Sequence, residues 1–198
     1  MLLDYRKFFV KERVAFVKLT DAYDIFDPDT NQPIGLAKDE PPGWAKALRI
    51  LVNKRFLPTT INIYEQEGDE PLFSLKKKPG FLRVSVVVCD SHGAEFGTLR
   101  SKLFSLGGGF TVMDTTGTMV ADVKGDWKGW NFRFLDSSGT ELGVVTKQWA
   151  GLGKEFFTSA DNYIISLSET YEALGDHATA SLMLAAGLAI DIVFKEQG

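Results

Sequence analysis

The sequence predicts a mainly β fold: on the order of ten to twelve antiparallel strands closed into a barrel around one hydrophobic C-terminal helix. Three observations predict it: a hairpin-sized unit recurs along the chain, glycine and aromatic residues are abundant, and the C-terminal segment is apolar on every side. The 198 residues include 19 Gly and 15 Phe, with aromatics at 12%, which suits short strands joined by glycine turns better than a helical bundle. The length fits a single domain spanning residues 1–198.

The elements follow in order. An early strand is expected around Val14 to Leu19. The clearest repeat is Phe110, Val112, Asp114, Gly117, Val120 and Val123, which recurs 22 positions later as Phe132, Phe134, Asp136, Gly139, Leu142 and Val145. A preceding copy runs Val86, Val88, Asp90, Gly93, Phe96, Leu99. Weaker copies are Ile61, Ile63, Glu65, Gly68, Leu72 and, with an insertion, Tyr23, Ile25, Asp27, Gly35. Apolar residues two apart share one face of a strand, Asp bonds its own backbone to start a turn, and Gly three later takes the positive φ that closes a hairpin. Each copy is therefore one hairpin, and a late strand is expected around Tyr163 to Leu167. So many strands close because closure removes edges that pair with other chains.

Two segments break the rhythm. Residues 41–54 place prolines before Trp44, Leu48, Leu51 and Val52 at helical spacing, which predicts a short amphipathic helix bridging two hairpins. Ala178 to Phe194, within a helix at about 178–195, holds only Asp191 as a charge from Leu182 onward. A helix apolar all round must be enclosed. At about 1.5 Å per residue it falls short of the roughly 30 Å hydrocarbon layer, so a barrel interior is the expected place for it. Ala185, Ala186, Gly187 and Ala189 permit close approach of strands, and Asp191 is expected to be a structural carboxylate with a hydrogen-bond partner.

Composition excludes several classes. Lys plus Arg total 22 against 26 Asp plus Glu, a net charge of −4, so nucleic acid is not an expected partner. One cysteine, Cys89, in a predicted strand, allows no internal disulfide and suggests a reducing cytoplasm. With His92 expected in a turn and His177 before the terminal helix, no zinc set, nucleophilic triad or acid–base pair is recognisable, and the chain reads as a non-enzyme without a cofactor. Asp27, Asp29 and Asn31 begin like a calcium loop, yet Gln32 and Lys38 stand where Gly and an acid belong, so they read as a turn stiffened by Asx bonds. Gly107, Gly108 and Gly109 read as a strand connection.

Basic residues are the most suggestive polar feature. Lys76, Lys77 and Lys78 stand in what reads as a turn ending Pro79-Gly80, while Lys124, Lys128, Lys147 and Lys154 lie at or near strand ends. Converging on one barrel end, they would form a site for anionic headgroups, with Trp127 and Trp130 either anchoring at a lipid interface or capping the barrel.

The segment Val145 to Tyr163 (VTKQWAGLGKEFFTSADNY), followed by the terminal helix ending LAIDIVFKE, resembles the phospholipid scramblase family. The matching residues include Trp149, Gly151, Glu155, Thr158, Asn162 and Asp191, which read as structural motif positions. Scramblases are similar to the LURP-one-related proteins and to the tubby C-terminal domain, and that kinship implies a twelve-stranded barrel wrapped around a hydrophobic C-terminal helix. It further implies lipid movement between leaflets under calcium control, or, in the tubby-like branch, phosphoinositide binding. On the twelve-residue calcium pattern, position one is Ser159, position three Asp161 and position twelve Thr170, so two of the three strongest oxygen ligands are missing. The resulting expectation is a cytoplasmic module, peripheral at the inner face of a membrane, that binds an anionic phospholipid or a membrane-associated protein. Phospholipid scrambling is the alternative.

Overall fold

Residues alternating between the two faces of a strand can bury one face and wet the other, and this alternation builds the wall of the molecule. The computed structural model describes residues 1–13, 20–52, 56–78, 84–102, 109–126, 130–147, 162–169 and 177–194, with side chains to 191. Its strands are β1 (Lys7–Glu12), β2 (Ala22–Phe26), β3 (Pro33–Asp39), β4 (Thr59–Tyr64), β5 (Phe73–Lys78) and β6 (Ser85–Asp90). They continue as β7 (Glu95–Ser101), β8 (Gly109–Asp114), β9 (Met119–Asp126), β10 (Asn131–Leu135), β11 (Glu141–Thr146) and β12 (Tyr163–Leu167). Each pairs antiparallel with its neighbours in sequence, and β1 closes on β12 with Lys7 opposite Ser166 and Val10 opposite Tyr163. The result is the closed twelve-stranded barrel.

An up-and-down barrel sorts its connections by polarity. The β2–β3, β4–β5, β6–β7, β8–β9 and β10–β11 links fall at one end, here the turn end, and the other strand-to-strand links at the opposite loop end. The turns are the repeated unit of the sequence. Asp90, Asp114 and Asp136 each accept backbone N–H bonds from residues two and four further on, between 2.8 and 2.9 Å. Gly68, Gly93, Gly117 and Gly139 take positive φ between 81° and 98°. The first hairpin departs from this pattern: Asn31, at φ 57°, supplies the left-handed residue, and Gly35 lies within β3. Asparagine tolerates that conformation, so the insertion needs no glycine.

Helix α2 (His177–Phe194) runs through the barrel. Its first residue, His177, places Nε2 3.5 Å from Asp4 at the turn end, and near its far end Asp191 accepts a 2.5 Å hydrogen bond from Tyr23, which lies on β2 near the loop end. Leu182, Met183, Leu184, Ala185, Ala186, Leu188, Ala189 and Ile190 are all buried in one cluster with the inward residues of the strands. Packing is close enough that a Cβ on Gly187 would lie 2.3 Å from Ile165 Cδ1 and one on Gly97 2.2 Å from Leu182 Cδ2.

Two sequence expectations need correction, and a third, the early strand at 14–19, lies outside the described residues. The first strand is β1 at 7–12, where Phe8, Val10 and Glu12 point inward between charged neighbours that obscure the pattern. Lys76, Lys77 and Lys78 belong to strand β5 rather than to a turn, because pairing with β4 and β6 extends the ladder through Lys78. The bridging helix is α1 (Gly43–Leu48), only six residues long. It starts after Pro42, buries only Ala45, and leaves Trp44, Leu48, Leu51 and Val52 exposed.

Candidate functional site

Period-two alternation, followed to the strand ends, carries polar side chains into the barrel mouth at the loop end. Phe8 and Val10 lead to Glu12, Ala37 to Asp39, Ile61 back to Thr59, and Phe73 and Leu75 to Lys77. These four, with Asn162 and Asp191, make six of the eight polar residues buried among those described. Among them, Asp39 receives Arg49, from just beyond α1, as a two-pronged partner: Nη1 reaches Oδ2, and Nη2 lies 3.2 Å from Oδ1 and 3.3 Å from Thr59 Oγ1. Both charged side chains are 1% exposed. Burial, together with the neighbouring Asp191 carboxylate, holds the Tyr23 phenol well above its usual range, so at neutral pH it is a donor to that carboxylate. Sequence reading missed Glu12, Asp39, Arg49 and Thr59. Extending each strand's inward register to its last residue is the signal that finds the wall residues.

The lysines are divided by this geometry. Lys77 is 4% exposed and faces the interior, which corrects its expected place at a headgroup site. Lys147 lies 4.2 Å above the ring of Trp130, and Trp130 in turn packs at a tilt on Tyr163 at 5.4 Å and edge-to-face on Phe132 at 6.5 Å. Trp130 therefore caps the barrel instead of projecting from it. Lys124 shares Asp122 with Lys102. Lys76 and Lys78 are exposed on the outer wall, and the register sets Lys78 opposite Ser85 and Ser85 opposite Arg100. Arg100, also exposed, is a cation the sequence reading did not select. No carboxylate among the described residues pairs with Lys76, Lys78 or Arg100, whereas Lys7, Arg13, Lys38, Arg49, Lys102 and Arg133 all have one.

Lys76 and Lys124 are four strands apart, about 19 Å around the wall at roughly 4.8 Å per strand, so the lysines are spread around the wall and do not form a single patch. Beside α1, a cavity of about 350 Å³ sets Lys38 and Lys46 among Asp21, Asp39 and Glu40, a lining that offers no anion cradle. Trp127, Lys128, Trp149, Gly151, Lys154, Glu155, Thr158, Ser159, Asp161 and Thr170 lie outside the described residues. Among the described residues there is no group of three or more metal-ligating side chains and no helix long and apolar enough to cross a membrane.

A closed barrel filled by one apolar helix, with its longer connections at one end, defines a class of helix-filled β barrels. Within that class, the scramblase family model matches residues 93–197, just over half of the chain, and the chain belongs to that family. Membership gives it a scramblase-like, lipid-related role in a family of lipid transporters and binders. No curated protein and no solved structure matches the chain. The match begins at the turn before β7, so Arg100, Lys124, Lys147 and α2 fall inside it, and α1, Lys76 and Lys78 fall outside.

Proposed function

We propose that the loop end of the barrel binds anionic phospholipid headgroups, making the protein a peripheral, tubby-like membrane module of the cytoplasm that carries out no covalent chemistry. The observation that carries this reading is the outward row Lys76, Lys78 and Arg100, cations with no carboxylate partner among the described residues, in a chain of net charge −4. Unpaired lysines near an acidic bilayer contribute up to about 1 kcal/mol each and are screened by salt. Calcium has no part in this reading, since the loop that would hold it lacks two of its strongest oxygen ligands.

Sedimentation with phosphatidylserine-containing vesicles tests it. Binding is expected to fall with added salt, to survive calcium chelation, and to drop about tenfold or more in Lys76→Glu/Lys78→Glu/Arg100→Glu, since three charges are reversed. Equal recovery in the supernatant with anionic and phosphatidylcholine vesicles overturns it. A second reading, lipid transfer between leaflets, rests on the family match. The enclosure of α2 disfavours a mechanism in which that helix enters the bilayer. Transfer of a fluorescent lipid in vesicles containing the protein would favour it.

A further inference from the structure

The segment around α1 is out of keeping with the rest of the surface. Of the eight large apolar residues exposed among the described residues, six lie between positions 44 and 56: Trp44, Leu48, Ile50, Leu51, Val52 and Phe56. Ile50 is 72% exposed, Leu51 84% and Trp44 60%. Scattered exposed apolar residues are ordinary, but a cluster of this kind marks a contact surface. The cluster is also fixed in place. Ala45 is buried, and the Arg49–Asp39 pair with Thr59 pins the segment to the barrel mouth.

Charge identifies the partner. Residues 41–56 carry Lys46, Arg49, Lys54 and Arg55 and no acidic residue, leaving −8 on the rest of the chain. Two copies of such a segment repel each other. Apolar side chains among cations, with a tryptophan, are instead the composition of elements that lie in the interface of an anionic bilayer. Six helical residues span only about 9 Å, so α1 can rest in the headgroup layer but cannot cross it. The segment is also continuous with the unpaired cations, because β4 leaves it at Thr59 opposite Lys77, between Lys76 and Lys78.

We infer that the α1 segment is a membrane-inserting lip, with Trp44, Ile50 and Leu51 entering the interface of an anionic bilayer while the Lys76–Lys78–Arg100 row holds headgroups beside it. This rests on the proposed lipid binding, which supplies the electrostatic half of the contact. The test uses the full chain with mixed phosphatidylserine and phosphatidylcholine vesicles. Tryptophan emission is expected to be quenched by brominated lipid, with most of that quenching lost in Trp44→Phe. Ile50→Ser/Leu51→Ser, both exposed and so neutral for folding, is expected to weaken vesicle binding by about tenfold. That variant is also expected to abolish the fraction that survives high salt. If wild type binds but Trp44 is unquenched and the serine variant binds equally well, the lip is wrong and headgroup binding stands. If wild type does not bind, both fall. If the chain dimerises without lipid and the serine variant does not, the occupant is a second copy and the inference is overturned.

Discussion

Arg49 ties the α1 segment to β3 at the loop end through its buried pair with Asp39. With its side chain and that of Asp39 each 1% exposed, loss of one partner strands the other charge away from water. Breaking such a buried pair costs about 3–5 kcal/mol, whereas replacing both members with apolar residues costs much less. Arg49→Met is therefore expected to shift the urea midpoint strongly downward, and Arg49→Met/Asp39→Leu to recover most of the loss. Equal destabilisation in both would show that the pair is not the fastener. Arg49 was illegible in the sequence because it reads there as the polar face of a helix, and only the fold reveals that it turns back to β3. Lys77 misled in the same way. Three successive lysines look like a solvated turn until the β5 register points the middle one inward.

At the scale of the element, the hairpin turns were the most legible part of the chain, because one Asp and one Gly at fixed spacing specify both the bond and the backbone twist. The hydroxyls of Thr116 and Ser138, followed by backbone N–H groups, hold Asp114 and Asp136 below the usual carboxylate range. Their stabilisation is thus present above the unfolded-state value of about 3.9 and is lost as pH falls through the lower folded-state values. Asp136→Asn keeps the acceptor and removes the proton. Urea midpoints measured from about pH 7 down to pH 3 should then lie below wild type at neutrality and converge with it as pH falls, a shallower acid limb. An unaltered acid limb would remove this turn from the linkage. Strand β1 and helix α1 were less legible. The first alternates charges with its apolar residues and lacks a turn signature, and the second has an apolar stripe that meets no core.

Across the whole molecule, wall and filling depend on each other. The inward faces of the strands and the buried face of α2 form one cluster, so neither can be dry without the other. Ending the chain before His177 should leave a barrel lined with exposed Phe and Ile and no stable native state, read as loss of near-ultraviolet circular dichroism and binding of a hydrophobic dye. A truncated chain that still unfolds cooperatively would refute the dependence. Barrel and helix could be anticipated together because an all-apolar segment and a dozen strands each lack a partner alone. Position along the chain adds a consequence for biosynthesis. A ribosome delivers every stave of this cask before the peg that fills it, and the seam joins β1 to β12 across nearly the whole chain. The nascent protein must remain open, with greasy staves showing, until translation has passed residue 194, which makes it a natural client for chaperones that shield such surfaces.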